Sequence, residues 1–461
     1  MAHLLRIKRN GVYITPAYVI GYVPTTPDMS TVDFTSEIED GGERPLVTRR
    51  NVTESIELML KPVSGAMADA QTDIELLETW MLYAEEYQNS KAGYRVFLEF
   101  QPEGTTGVWQ SEILSGKLML ESDAMPRWKL GKAVKVTLVI TRRYYWEGEE
   151  VELALTNGAG SGTGGRTIYN HDDADAAHDN WVSIAGASVA GVLPAPIRLE
   201  ITNTYNAASR DYNILIGQNL WGGDITHVLE GEATPPGGSD IVDATCSGGY
   251  YRALSVVPGP ALTGRTWTLD SAMLTAYSGR YYRLIARMLN IAGSTTFVQA
   301  KLYFGVTVIS ETQELRLQSI SATEGIYDLG SLQIPPWLSG EASYYPLDLK
   351  LFVRDTTTTF TLKLDCMFLM PTDNYRTLVP RGYGLAYPAY VVDDGILDRI
   401  YSDGWAPSGR VGHYVGYGPR VKVWPGKDTK IFVLSTASSG SAAIERTKSL
   451  RVYYRPRRLT V

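Results

Sequence analysis

Val134-Lys-Val-Thr-Leu-Val-Ile140 alternates two sets of side chains: Val134, Val136, Leu138 and Ile140 form one, Lys135, Thr137 and Val139 the other. A period of two puts each set on its own face of a β-strand, so one face can be buried. Ile56, Leu58 and Leu60 repeat the pattern with Ser55 and Glu57 opposite, and so do Tyr94, Val96, Leu98 and Phe100. One neighbouring stretch breaks it. From Asp73 to Gln88 the apolar residues fall at Ile74, Leu77, Met81 and Ala84, with Leu76, Trp80, Tyr83 and Tyr87 beside them. That is helical spacing with a wide apolar face, and Thr72 and Glu75 have the spacing of a capping box at its start. Residues 1–156 therefore predict a β-sandwich or split barrel carrying one long helix.

The composition agrees with a mainly β protein. Gly 44, Tyr 29 and Trp 10 against only 5 His suit many tight turns and half-buried aromatic strands, and suit a metalloenzyme poorly. At 461 residues the chain exceeds what one hydrophobic core usually fills, so two to four domains are expected. A net charge of −7 argues against a general nucleic-acid binder that works by neutralising phosphates. Two cysteines, Cys246 and Cys366, are too few for a disulfide scaffold or an all-thiolate zinc site and read as buried free thiols. No run of 18 apolar residues occurs, so no spanning helix is expected, and Met1–Asn10 reads as a first strand and not as a signal peptide.

Further along, Asn157-Gly-Ala-Gly-Ser-Gly-Thr-Gly-Gly165 has the composition of a flexible linker. Gly160, Gly162 and Gly165 match G-x-G-x-x-G, but Arg166-Thr-Ile-Tyr-Asn170 follows where the nucleotide-binding motif needs a helix. The segment His171–Asp179 carries four aspartates without the Gly and Glu of an EF-hand loop, and reads as a polar loop. Residues 224–373 hold about eight strand-length runs, from Tyr250–Val256 to Phe360–Met370, as in a jelly roll. The strands after it, Tyr390–Val392, Val421–Trp424, Ile431–Leu434 and Leu450–Tyr454, are too few for a domain of their own. Ile197–Asn203 and Tyr212–Gly217 can complete them. Residues 166–223 and 374–461 thus predict a discontinuous sandwich with the jelly roll inserted, and Gly222-Gly223 and Pro371-Thr-Asp373 as junctions that leave the insert separable.

Catalytic signatures are missing: there is no H-E-x-x-H, no G-x-S-x-G and no P-loop. The histidines lie apart at positions 3, 171, 178, 227 and 413. No enzyme activity, cofactor or metal is expected.

Several strings together carry a resemblance. They are Ile140-Thr-Arg-Arg-Tyr-Tyr-Trp-Glu147, then Leu193-Pro-Ala-Pro-Ile-Arg-Leu-Glu-Ile-Thr-Asn203, and late in the chain Tyr390-Val-Val-Asp-Asp-Gly395, Val423-Trp-Pro-Gly426 and Val452-Tyr-Tyr-Arg-Pro-Arg457. Their order resembles the distal tail, or tail hub, proteins of long-tailed bacteriophages, with a tail-tube-like first domain and a galectin-like second half. The insert, with Glu230-Gly-Glu232, Tyr327-Asp-Leu-Gly330 and Leu364-Asp-Cys-Met-Phe-Leu-Met-Pro371, is similar to a carbohydrate-binding jelly roll, which simple hub proteins lack. The resemblance implies a structural virion protein at the distal end of a tail, assembled in the host cytoplasm. It implies self-association in a ring, a hexamer being favoured, that joins the tail tube to tape-measure and tail-tip proteins and lets DNA pass. The alternative is a peripheral receptor- or glycan-binding tail protein, for which the aromatic residues Trp221, Tyr250, Tyr251, Trp267 and Trp337 are the candidates. Finally, the polar stretch Val23–Thr48 has Asp28, Asp33, Glu37, Glu39, Asp40 and Glu43 with no basic residue before Arg44. It is either a solvated loop or an arm that docks on a neighbouring subunit, steered by the six basic residues of Ser441–Val461.

Overall fold

The alternating residues of Val134–Arg142 do face a core: Val136, Leu138 and Ile140 are buried, and the strand lies inside a nine-stranded antiparallel sheet. The computed structural model describes residues 4–14, 18–19, 22, 24–25, 32–39, 42–60, 67–90, 94–120, 134–170, 179–205, 210–219, 228–233, 238–243, 246–269, 274, 279–289, 295–317, 324–335, 347–372, 374–403, 410–411, 413–437 and 446–461. Over these the fold is mainly β. The chain divides into two compact units, residues 1–151 with 190–193 and 455–461, and residues 152–189 with 194–454.

In the first unit the strand order is Val12–Ile14, Leu4–Arg9, Val96–Gln101, Trp109–Leu120, Val134–Arg142, Val52–Leu60, Tyr18–Val19. Laid flat, seven strands would span ~29 Å between edges. Yet Ile14 and Tyr18, on opposite edge strands, are four residues apart in the chain and so within ~15 Å. The sheet must therefore curl, which is the split-barrel form of the two expected. Glu54 fixes the closure. It accepts hydrogen bonds from Tyr22 Oη at 3.0 Å, the Thr25 amide at 3.0 Å and Arg142 Nε at 2.6 Å, while Arg142 Nη2 donates to the Thr25 carbonyl. Trp146–Glu147, paired to Trp109–Leu120 and to Arg457–Arg458, brings the sheet to nine strands.

The helix Met67–Ser90 packs on Trp109–Leu120 and buries Ile74, Leu77, Trp80, Met81 and Ala84. A Cβ at Gly116 would collide with Met81, so this glycine sets how closely the helix approaches the sheet. The helix begins well before the expected capping box, and Thr72 and Glu75 lie inside it. Met67-Ala-Asp-Ala-Gln71 contains no breaker, so propensity carries the helix back past Thr72. Residues expected as a loop or arm instead form a β-hairpin, Val32–Glu39 paired with Gly42–Arg49, which joins no other sheet among the described residues.

In the second unit, strands from before and after the insert interleave. Ala195–Asn203 pairs with Lys448–Tyr454 and Tyr390–Asp394, and Asp211–Asn219 pairs with Thr429–Ala437 and Asn374–Pro380. Between these two sheets lies a core that includes Ile197, Leu199, Ile214, Ile216, Val433 and Val452. The Gly-rich segment 157–165 is not a linker. Leu155–Asn157 and Gly160–Gly162 form a hairpin in this sandwich, and the first domain ends at 151, before 156, because Leu153 and Leu155 are buried in the second core.

The insert is itself a two-sheet sandwich. One sheet carries Asp240–Val242, Tyr250–Val256, Phe360–Pro371, Tyr281–Leu289 and Glu324–Gln333, with Val228–Glu230 added on Phe360–Pro371. The other carries Leu262–Leu269, Leu347–Asp355, Thr296–Phe304 and Thr307–Glu311, with Leu315–Leu317 added on Thr296–Phe304. Its own core includes Leu284, Leu302, Leu349, Leu364 and Leu369. A further cluster joins insert to host: Val228, Ile285, Cys366, Phe368 and Met370 of the insert pack with Leu215, Phe432 and Leu434 of the discontinuous sandwich. The expectation of a separable insert is thereby corrected, because insert and host share this buried cluster.

Replacing residues 224–370 with a short Gly/Ser link is expected to leave Leu215, Phe432 and Leu434 uncovered, giving a protein that binds hydrophobic dyes and aggregates. Phe368→Ala in the full chain is expected to cost about 3–5 kcal/mol in chemical denaturation. A loss of only ~0.5 kcal/mol, the size of a surface substitution, would show that the shared cluster contributes no core.

Candidate functional site

Strand Thr296–Phe304 buries Val298, Ala300 and Leu302, which turns Phe297, Gln299, Lys301 and Tyr303 outward. Its neighbour Leu347–Asp355 buries Leu349, Leu351 and Val353 and turns Asp348, Lys350, Phe352 and Arg354 outward. The register sets Phe297 opposite Arg354, Gln299 opposite Phe352 and Lys301 opposite Lys350. On this face lies a groove of about 190 Å³ lined by Phe297, Gln299, Lys301, Tyr303, Phe352 and Arg354 together with Ala261 and Glu314. Tyr303 and Phe352 are tilted rings with centroids 6.2 Å apart. The Arg354 guanidinium lies 4.1 Å from the Phe297 ring centroid, and the Lys350 ammonium 4.5 Å from that of Tyr303. Each lining cation also has a carboxylate. Arg354 reaches Glu314 with Nε at 2.6 Å and Nη2 at 2.5 Å, and Lys301 reaches Glu311 at 2.7 Å. The hydrogen bonds from Arg354 hold the Glu314 carboxyl below the usual carboxylate range, so the pair stays ionised. Such a face offers aromatic surface and a ring of paired polar groups.

The aromatic candidates from sequence do not assemble into a site. Trp221 and Trp337 lie outside the described residues. Trp267 is buried, its indole N–H donating to the Glu230 carbonyl at 2.6 Å, and Tyr251 is buried with Lys363 4.3 Å from its ring centroid. Neither presents a free ring face, and Tyr250 is half-buried. Selection by residue type alone passes over Phe297, Tyr303 and Phe352, which line the groove. The signal was there in the alternation of Phe297, Gln299, Lys301 and Tyr303 with Val298, Ala300 and Leu302. Of the acidic arm, Asp28 lies outside the described residues, while Asp33, Glu37 and Glu39 stand in register with Thr48, Arg44 and Gly42 of the hairpin.

Other clusters of reactive groups are closed. His413 Nε2 donates to the Tyr383 carbonyl, so its Nδ1 accepts from Ser402 Oγ at 2.7 Å. Ser402 is 1% exposed, leaving this pair no route to a substrate. Cys246 and Cys366 are buried free thiols, and burial pushes Cys246 up to about 12. Among the described residues no group of His, Cys, Asp or Glu is arranged to hold a metal ion, and no helix is long and apolar enough to cross a membrane.

No family model matches the chain, and no curated protein matches it. Among solved structures it is similar to the crystal structure of the SPP1 Dit (gp 19.1) protein, described as a paradigm of the hub adsorption apparatus in Gram-positive infecting phages. The identity is 8%, the alignment covers 98% of each chain, and the TM-score is 0.26. At that score neither fold nor function is transferred.

Four of the six basic residues near the end of the chain are held internally. Arg446 is buried against Asp211 at 2.7 Å, Arg451 is bound to Glu152 at 3.0 Å, and Arg457 to Glu147 at 2.6 Å. Lys448 is fully buried and donates to Asn170 Oδ1 at 2.9 Å. Loss of hydration, with Arg446 nearby, pulls its ammonium down to about 8, from an ordinary 10.5. Between those two values the unfolded chain binds more protons than the folded one, so this residue's contribution to stability rises with pH across that window. Below pH 8 the cost of burying the charge is present in full. Lys448→Met is therefore expected to be more stable than the parent at pH 7, with the gap narrowing by on the order of 3 kcal/mol as pH approaches 10.5. Denaturation midpoints of the two proteins across pH 7–10.5 check this, and a pH-independent gap would contradict it.

Proposed function

We propose that the chain is a structural protein of a phage tail, a distal tail or hub subunit without catalytic activity that forms rings between the tail tube and tip proteins. The sequence order of a strand-rich domain with one helix, a discontinuous sandwich and an inserted jelly roll supports the reading. The observation that carries it is the hairpin Val32–Glu39/Gly42–Arg49, which pairs only with itself among the described residues. A lone two-stranded hairpin is marginal in water, and an edge with free backbone groups is a template for another chain. An arm reaching a neighbouring protomer turns both liabilities into assembly. Excess negative charge keeps a lumen from trapping DNA phosphates. Since Arg446, Lys448, Arg451 and Arg457 are held internally, the arm's acidic residues would meet a surface of the neighbour other than these four.

A second role, saccharide binding by the inserted domain, is favoured by the groove over Phe297, Tyr303 and Phe352. Sugar C–H faces stack on aromatic rings while hydroxyls take the surrounding polar groups.

Light scattering and electron microscopy of the purified protein are expected to show closed rings, six-fold favoured. Replacing residues 32–49 with a short Gly link is expected to give a monomer whose first unit still melts cooperatively. Neutralising Asp28, Asp33, Glu37 and Glu39 together is expected to slow ring formation chiefly at low salt, because charges beyond ~8 Å are screened at 0.15 M. A parent protein that stays monomeric, alone and with tail proteins, would overturn the hub reading.

A further inference from the structure

We infer that the groove of the inserted domain takes an uncharged saccharide and rejects polyanionic ones. The inference rests on the saccharide reading above and specifies its substrate class.

The charge arithmetic of the groove decides it. Two cations line it, Lys301 and Arg354, and each is held by a carboxylate of the same face, Glu311 and Glu314. Arg354 commits Nε and Nη2 to the two oxygens of Glu314, the bidentate geometry in which a guanidinium would otherwise grip a phosphate or uronate. An anionic sugar would have to displace Glu314 and then lie against the released carboxylate. A neutral vicinal diol meets no such obstacle. It can donate to the outer lone pairs of Glu314 and accept from the remaining Nη1 of Arg354, leaving the pair intact. Beneath it, Phe352 supplies a ring whose nearest cation, the Lys301 ammonium, is 5.8 Å from the centroid, whereas Arg354 and Lys350 already cap Phe297 and Tyr303. Phe352 is therefore the stacking platform, and the paired Arg354 and Glu314 the hydroxyl-reading edge. The space of about 190 Å³ is below the ~300–1,000 Å³ typical of a drug-sized site, which suits one sugar unit of a polymer running across the sheet.

The test is calorimetric titration of the full chain with cellohexaose, maltohexaose and galactohexaose, and with polygalacturonate as the anionic probe. At least one neutral hexasaccharide is expected to bind, at least tenfold more weakly to Phe352→Ala, with polygalacturonate giving no heat. Glu314→Gln, which frees the guanidinium, is expected to gain binding to polygalacturonate that added salt abolishes. Phe352 points outward, so its variant is expected to keep the parent's melting midpoint; Tyr303→Ala is the second lesion if it does not. If the parent binds polygalacturonate and Phe352→Ala weakens that binding, the saccharide reading stands and the uncharged class is overturned. If neither neutral nor anionic probes bind, both fall.

Discussion

Glu147 and Arg457 lie opposite each other in a short antiparallel ladder and are joined by their side chains at 2.6 Å. That pairing ties the two ends of the excursion, because the chain that leaves the first unit after Val151 returns to it at Ala190–Leu193 and again at Arg455. The same device recurs inward. Leu153 N bonds the Val452 carbonyl, Gly217 stands opposite Tyr375, and Glu230 opposite Cys366. Each pair joins an outgoing strand to its returning partner, so each inner domain begins and ends at adjacent points. Loop-closure entropy grows only logarithmically with length, so nesting one domain within another costs little stability. It does make the outer closures non-local, and such contacts form slowly.

Closure in the first unit is local and works differently. Three residues bridge the two edges of a seven-strand run, and the curl this forces brings Tyr22 and Thr25 over the sheet to Glu54 and Arg142. Arg142 is wholly buried, 4.5 Å from the Trp146 ring centroid, with Glu54 almost as buried. Removing one partner would leave a buried charge uncompensated, which is far more costly than the pair is favourable. The hairpin stands outside this arrangement. Among the described residues its two strands pair only with each other.

Much of this architecture was legible because period-two alternation reports burial directly, as in Val134–Ile140, and helical spacing reports the face of Met67–Ser90. What stayed hidden depends on which face of a sheet meets water. Phe297 and Trp267 have similar sequence surroundings, yet one lines a groove and the other is buried with its indole N–H satisfied. Likewise Arg446 and Lys448 read as surface charges but are fully buried, since their partners Asp211 and Asn170 are more than 200 residues away in the chain. The Gly-rich segment misled for a backbone reason. Gly160 and Gly162 adopt φ of 124° and 156° within a hairpin, so the glycines serve the turn's geometry and not flexibility.

The strand Phe360–Pro371 supplies three of the insert's five buried residues in the cluster it shares with the host. Leu362 and Leu364 enter the insert's own core, and so do Met367 and Leu369, which have the opposite parity. The phase changes at Asp365, where the pairing with Tyr281–Leu289 steps from Leu364 opposite Met288 to Cys366 opposite Arg287, leaving Asp365 as an extra residue. Beyond this bulge Cys366, Phe368 and Met370 face the cluster shared with Leu215, Phe432 and Leu434. With both faces covered, the run Cys366-Met-Phe-Leu-Met370 has no place for a polar side chain, which is why its alternation disappears there. The bulge would leave Asp365 as a lone buried carboxylate, and Arg287, with the Ser247 amide, supplies its partners. Burial still pushes Asp365 up to about 6, while the Asp365 carboxylate beside Arg287 raises the guanidinium. What the bulge provides is a strand that serves two cores in succession, and hence an insert joined to its host by packed side chains as well as by its two chain crossings.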